Sequence, residues 1–446
     1  MAKRTSGARD QFRSKWGFIL ACIGSAVGMG NIWRFPVLVS VWGGLTFLIP
    51  YFLFVILIGS TGVVEEMALG RLTRHGPVGA FAYAAGERNK KELGAAVGVV
   101  PVVGSLALAI GYTCVMAWIF KYTVMAISGD LFALGTDLDA IGGTFGATAS
   151  AWGANLWVVI AVAASCLIMA FGVGQGIETA NKIMMPVLLV LFVGLAVYIS
   201  LQSGAADGFR YIFTLNPAGL ADPRLWVYAF GQAFFSLSIA GNGTVIYGSY
   251  LSDKADIPHA ARCVALFDTM AALLAAVVLI PAMATTGAAL ESGGPGLMFI
   301  YLVNVFNGMR GGRIVEVIFF VSVLFAGLSS IMNMYEVGVS FCQDRLKLRR
   351  VPATILTHAL GGAVALCIQA IVSEWMDVVS IYVCPIGALL AGIMFFWVLK
   401  KKTAMDAVTL SAKKPIRAWF YPLGKYVYCL LALLALVLGA ILGGIG

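Results

Sequence analysis

From near residue 16 to residue 444 the chain is built of long apolar stretches separated by short polar breaks. A bilayer core needs about 20 apolar residues per helix. Stretches of that length predict helices at 16–40, 43–70, 95–129, 154–173, 177–200, 225–251, 259–288, 313–345, 351–372, 374–401 and 417–444. That is an all-α membrane protein with eleven transmembrane helices. Lys and Arg cluster in alternate connections: Arg71, Arg74, Arg88, Lys90 and Lys91; Lys182; Lys254 and Arg262; Arg345, Lys347, Arg349 and Arg350; then Lys400 to Lys402 with Lys413, Lys414 and Arg417. The intervening loops hold only Arg210, Arg224, Arg310 and Arg313. Basic residues near span ends stay on the cytoplasmic side, so the N-terminus is expected inside and the C-terminus outside, in the plasma (inner) membrane.

Composition agrees. Sixty per cent of the 446 residues are apolar, 11% are charged and the mean hydropathy is +0.92, far more hydrophobic surface than one soluble core could hide. The net charge of +9 follows from the one-sided loops, so it implies no nucleic-acid partner. The first stretch follows Lys3, Arg4, Arg9, Arg13 and Lys15 as a signal peptide would, but its length, Arg34 and the lack of a small-residue cleavage site predict that it is retained. The eight cysteines lack C-x-x-C spacing, and His75, His259 and His358 lie far apart, so neither a disulfide nor a metal centre is expected.

Two spans carry an interruption. Gly24-Ser25-Ala26-Val27-Gly28-Met29-Gly30-Asn31 in the first and Ser236-Leu237-Ser238-Ile239-Ala240-Gly241-Asn242-Gly243 in the sixth put glycine and polar groups at mid-membrane. Backbone groups released from helix bonding cannot face lipid, so such breaks persist only where protein, water or a ligand satisfies them. Gly24-x-x-x-Gly28 also fits close helix packing. The paired position favours a cavity, because spans one and six correspond if spans one to five and six to ten are two halves of inverted topology, a pattern drawn from transporters that include the family named next.

Gly24 to Pro36, GSAVGMGNIWRFP, closely resembles the first-helix signature of the neurotransmitter:sodium symporter family. Gly231-Gln232-Ala233-Phe234-Phe235-Ser236-Leu237-Ser238 resembles its sixth-helix motif, Ala326-Gly327-Leu328-Ser329-Ser330 its eighth, and Glu66-Met67-Ala68-Leu69-Gly70-Arg71 its second. The likeness covers helices one to ten and is closest to bacterial members. It implies a LeuT-like 5+5 inverted-repeat bundle with discontinuous helices 1 and 6. The expected divisions are a cytoplasmic segment 1–15, a first repeat 16–200, an extracellular loop 201–224, a second repeat 225–401, and a cytoplasmic connection with the last helix, 402–446.

The resemblance implies two sodium sites and no organic cofactor. The first would use the Ala26 carbonyl, Asn31, Ser236 and Asp268; the second the Gly24, Val27 and Ala326 carbonyls with the hydroxyls of Ser329 and Ser330. Read alone, those two serines could bond back to their own helix. Asp268 stands apart, since a carboxylate in an apolar helix is expensive without a cation. It lies near where animal relatives hold chloride, a site that Tyr51, Gln232 and Ser236 partly match, so transport is expected to be chloride-independent. Substrate would lie against Ala26, Met29 and Gly30, with Leu108, Tyr112, Phe235, Ser236, Ser238, Gly241, Asn242, Ser330 and Met334 around it. The family's tyrosine at the Tyr112 position holds a carboxylate. Gly241 stands where the bacterial leucine transporter has a bulky aromatic and Asn242 at a small-residue position, which implies a roomier, more polar pocket and a bulky hydrophobic or aromatic amino acid.

Gates are implied at both ends: Arg34 with Asp377 outside, Glu374 being close, and Arg9 with Asp344 inside, near Tyr250 and with Phe12 in place of a tryptophan. Gly176 and Pro186 resemble the fifth-helix element that unwinds toward the inner sodium site. No Walker-type loop is present, so the sodium gradient would supply the energy. The expected partners are a small solute and the lipid bilayer, around a monomer or weak homo-oligomer. A ligand-sensing transceptor or channel on the same scaffold is the alternative. An intramembrane enzyme using Glu65, Glu66, Asp268 or Glu336 lacks an accompanying nucleophile and base.

Overall fold

The computed structural model describes residues 10–28, 30–239, 241–286 and 296–443, and among them there is helix and no strand. That follows from the solvent, because in lipid a backbone must satisfy its own hydrogen bonds and a helix does so within one segment. The segments used below are α1 (Lys15–Ala26), α2 (Gly30–Trp42), α3 (Leu45–Thr73), α4 (Lys91–Ser128), α5 (Asn155–Ala170), α6 (Val173–Ser200), α7 (Pro223–Ser236), α8 (Gly243–Ser249), α9 (Ile257–Thr286), α10 (Gly312–Arg345), α11 (Arg350–Ile368), α12 (372–398) and α13 (Phe420–Leu442). Helix occupies most of the described part of each predicted stretch. Among the described residues seven runs are long and apolar enough to cross a membrane alone, or eight with α1 and α2 taken as one bent span. The 49 residues Arg350–Val398 are helical throughout. A single rod of that length would reach about 70 Å, over twice a bilayer core; a 3-10 turn at Gln369–Ile371 divides it.

Both expected interruptions are present. α1 stops at Ala26, Val27 turns extended (φ −72°, ψ 96°), and α2 starts again at Gly30 with its axis bent 65° from that of α1. In the sixth span helix ends at Ser236, and Ser238 (φ 56°) and Asn242 (φ 53°) take left-handed conformations before α8. A β-branched or bulky residue would be an outlier there, whereas Asn is among the residues enriched in that region, and both side chains are held by bonds to other spans, Ser238 to Ser25 and Asn242 to Glu66.

The interrupted spans sit inside the bundle. α1 packs on α6, α9 and α10, α7 on the first half of α3 (Leu45–Ser60), and α8 on its second half (Gly62–Thr73). The α3–α8 crossing is close enough that a Cβ on Gly70 would collide with the Val245 carbonyl, and one on Gly248 would stand 2.7 Å from the Met67 carbonyl. α10 packs along α4 and α6, so the long unbroken helices frame the broken ones.

Candidate functional site

The two breaks face each other across a cavity of about 30 Å³ lined by Ala26, Gly28 and Gly30 of the first span, Phe235, Ser238 and Gly241 of the sixth, Leu108 and Tyr112 of α4, and Ser330 and Met334 of α10. Side chains around the breaks bond to carbonyls there; that of Ser25, in the last turn of α1, is one that a helix end leaves free, and those of Gly30 and Gly243 open the next helical segments. Ser238 Oγ donates to the Ser25 carbonyl at 2.6 Å, Gln232 Nε2 to that of Gly30 at 3.0 Å, and Asn333 Nδ2 to that of Gly243 at 3.2 Å. Unwinding is thereby stable in the membrane interior, where an unpaired carbonyl would cost several kcal/mol.

Beside the cavity three buried side chains converge. Asn31 Nδ2 lies 2.8 Å from Asp268 Oδ1 and 3.1 Å from Ser236 Oγ, and Ser236 Oγ donates to Asp268 Oδ2 at 2.6 Å. All three are at most 2% exposed. A second group forms between α1 and α10, where Ser330 Oγ lies 3.3 Å from the Gly24 carbonyl and 3.4 Å from that of Val27. Ser329 Oγ instead donates to the Ala326 carbonyl of its own helix at 2.8 Å. Asn181 of α6 enters this group unannounced. It is fully buried, its Oδ1 has no hydrogen-bond partner, and a Cβ on Gly24 would run into that oxygen.

Above the cavity Phe235 presses on Gly30, whose Cβ would stand 2.9 Å from the ring, and the Arg34 guanidinium sits 5.3 Å from the ring centroid, within cation–π range. At the opposite end the leading segment is tied down. Arg13 N and Ser14 Oγ donate to Glu178 of α6 at 2.5 and 2.8 Å, with Lys182 2.6 Å from the same carboxylate. Phe12 enters an aromatic box with Phe18, Tyr247 and Tyr250. Tyr250 hydroxyl donates to Glu336 Oε1 at 2.5 Å, and Glu336 is paired with Arg350.

Residues 9–133 and 146–441 match the sodium:neurotransmitter symporter family. The chain belongs to that family. It is 31% identical to an uncharacterized sodium-dependent transporter of Bacillus subtilis, over 74% of this chain and 72% of the relative. An uncharacterized sodium-dependent transporter of Methanocaldococcus jannaschii is 28% identical over 92% of this chain and 86% of its own. Among solved structures, MhsT in complex with L-phenylalanine superposes with a TM-score of 0.85 at 30% identity, covering 96% of this chain and 99% of MhsT. The LeuT-like fold and the multi-pass membrane transporter class are thus in hand.

Several residues expected at the pocket or the gates have other neighbours in this structure, and two lie outside the described residues. Asn242 does not face the cavity: it is fully buried, and its Nδ2 donates to Glu66 Oε1 of α3 at 2.9 Å and to the Gly387 carbonyl at 3.3 Å. The left-handed turn that lets the sixth span restart also swings this side chain toward α3. Ser236 points to Asp268 and does not line the cavity. Among the described residues no ion pair joins Arg34 to Asp377 or Glu374. Met376 turns inward against Gly111, and Asp377, about 100° further round the helix, is exposed. Asp344 accepts from Gly76 N at 3.4 Å and lies 3.3 Å from His75 Nδ1. Arg9 and Met29 lie outside the described residues. Near Gly176 the chain forms a π-helical turn, Val173–Ile177, and helix then runs through Pro186.

Ser105 and Asn333 also line the cavity and escaped the sequence reading. Their signal was periodicity, since Ser105 lies three residues before Leu108, and Asn333 three after Ser330, each on the same helical face. Glu178 has a local partner only in Lys182, four residues on, while Arg13 and Ser14 reach it from 165 and 164 residues away, and Glu336 meets Arg350 on the next helix.

Proposed function

We propose that this chain is a sodium-coupled symporter that imports a zwitterionic amino acid with a bulky hydrophobic or aromatic side chain, without chloride. The observation that carries the proposal is the Asn31–Ser236–Asp268 cluster abutting the cavity between the two breaks. Sodium takes oxygen ligands, and with the Asn31 amide turned over, its Oδ1 joins Ser236 Oγ and the Asp268 carboxylate in an all-oxygen set beside the Ala26 carbonyl. The carboxylate supplies the fixed negative charge that an anion would otherwise bring, which is the physical basis for chloride independence. The second sodium would take the Gly24 and Val27 carbonyls with Ser330, completed by Ala326 and Ser329.

The start of α2 at Gly30 turns its positive end to the cavity beside Tyr112, which suits a substrate carboxylate. Gly241, which has no side chain, faces the small Ser105, and the pair leaves that wall open for a large substrate group. That MhsT was solved with L-phenylalanine supports the aromatic reading. A cavity of about 30 Å³ has room for about two waters and none for an amino acid, so admission of solute requires its walls to part, with Phe235 and Arg34 above it swinging outward. The chain would then rock between outward and inward forms with eleven crossings, a cytoplasmic N-terminus and two repeats at 16–200 and 225–401. Proteoliposomes with an imposed inward sodium gradient test the proposal: labelled L-phenylalanine should accumulate above equilibrium and stay chemically unaltered. Binding without accumulation would identify a sensor and refute symport.

A further inference from the structure

A second and much larger cavity, of about 700 Å³, lies on the flank of the bundle, away from the site described above. One wall is a single face of α3, where Phe52, Val55, Ile56, Gly59, Ser60 and Val64 follow helical spacing. The other is a face of α9, with Pro258, Arg262, Ala265, Leu266 and Thr269. The two helices pack closely at Gly59, where an added Cβ would stand 2.9 Å from Ala265 Cβ. The segment before α13 closes one end of the slot and brings Lys414, Arg417 and Trp419 to its mouth.

Charge at this mouth is of one sign. Arg262, Lys414 and Arg417 are exposed and make no ion pair among the described residues, and no carboxylate lines the cavity. The nearby acids are otherwise engaged. Asp256 accepts from His259 N and Lys413 N at 3.1 and 3.2 Å, and Asp253 is paired with Arg74. Depth points the same way. From Pro258 to Thr269 the wall rises about 16 Å at 1.5 Å per residue, which is half of a bilayer core of about 30 Å and hence the depth of one leaflet. Trp419 stands at the rim, 44% exposed, where an amphipathic ring favours the headgroup level.

We propose that this slot binds one anionic phospholipid of the leaflet at the basic end of the bundle, its phosphate held by Arg262, Lys414 and Arg417 and one acyl chain laid between α3 and α9. A free phosphate would use the cations and leave the apolar slot unfilled; a zwitterionic lipid would fill the slot and gain less from three unpaired cations. Thr269 at the deep end adjoins Asp268, so the acyl chain packs against the back of the helical turn that presents Asp268 to the first cluster.

The test is native mass spectrometry of the purified full chain titrated with palmitoyl-oleoyl phosphatidylglycerol or with the matching phosphatidylcholine. One phosphatidylglycerol should be retained preferentially. Each basic side chain near an anionic headgroup is worth about fivefold in binding, so a combined R262Q, K414Q and R417Q variant should lose about a hundredfold and fall to the phosphatidylcholine level. Ser60→Trp, which fills the slot without altering charge, should weaken both lipids. A K90Q and K91Q variant, which removes two exposed charges at the head of α4, should bind as wild type. The proposal is overturned if wild type takes both lipids equally, if the triple variant keeps its preference, if K90Q and K91Q reduce binding as much as the slot charges do, or if millimolar sodium phosphate displaces the lipid.

Discussion

Gly241 is the position where the pocket can be reshaped with least disturbance. A Cβ there would stand 3.5 Å from Ser105 Oγ and 3.6 Å from Ser105 Cβ, ordinary van der Waals separations, and the backbone is not in the left-handed region. The residue lies in a break, so no helix is weakened by replacing it. A methyl group is therefore accepted, and any longer side chain must enter the cavity. A phenyl ring, which buries about 150–250 Å² when packed, takes the space a large substrate side chain would need. Forcing both into one pocket costs about 1–3 kcal/mol, or about 5- to 150-fold in apparent affinity. Gly241→Phe should raise the half-saturating concentration for phenylalanine by that factor while leaving alanine little changed, and Gly241→Ala should fall between. The assay is competition by unlabelled amino acids against sodium-driven uptake in proteoliposomes, with substrate-free thermal unfolding in parallel to recognise a folding defect. An unchanged selectivity profile, or an equal loss for every substrate at normal thermal stability, would refute the placement of Gly241 in the substrate pocket.

Replacing external chloride with gluconate should leave uptake by the wild-type chain unchanged, and loss of uptake would remove the role given to the Asp268 charge. Asp268→Asn keeps the shape and discards that charge; with about 1.5–3 kcal/mol per charge-assisted bond at stake, the sodium concentration for half-maximal uptake should rise at least about tenfold. Gly24→Ala drives a methyl into Asn181 Oδ1 and leaves it 2.8 Å from Ser329 Cβ, so the sodium-dependent part of thermal stabilisation should shrink; an undiminished sodium response would exclude this group as a cation site. Arg350→Gln strands Glu336, which is fully buried, at a cost of about 3–5 kcal/mol, visible as a lower unfolding temperature that Arg350→Lys should partly restore.

The helical stretches, both interruptions and the motifs around them were legible in the chain, because each is a local property. A bilayer demands a long apolar run from every crossing helix, and glycines among polar residues mark the breaks in the first and sixth spans, although Gly327-Leu328-Ser329-Ser330 stays in continuous helix. Most cavity-lining side chains were legible for the same reason, since they sit within a few residues of the breaks or on motifs resembling the family's. Tertiary structure decided matters that depend on how one helix is rotated against another. Asn242 turned to Glu66 and away from the cavity, Asp377 faced outward, Asn181 arrived at the Gly24 group from α6, and Glu336 found Arg350. A rotation of 100° per residue moves a side chain from one neighbour to another, and only packing of the whole bundle sets that rotation. Spans and breaks thus belong to the sequence itself; the partner that each buried polar group meets belongs to the assembled helices, where leaving it unpaired would cost more than any local preference could recover.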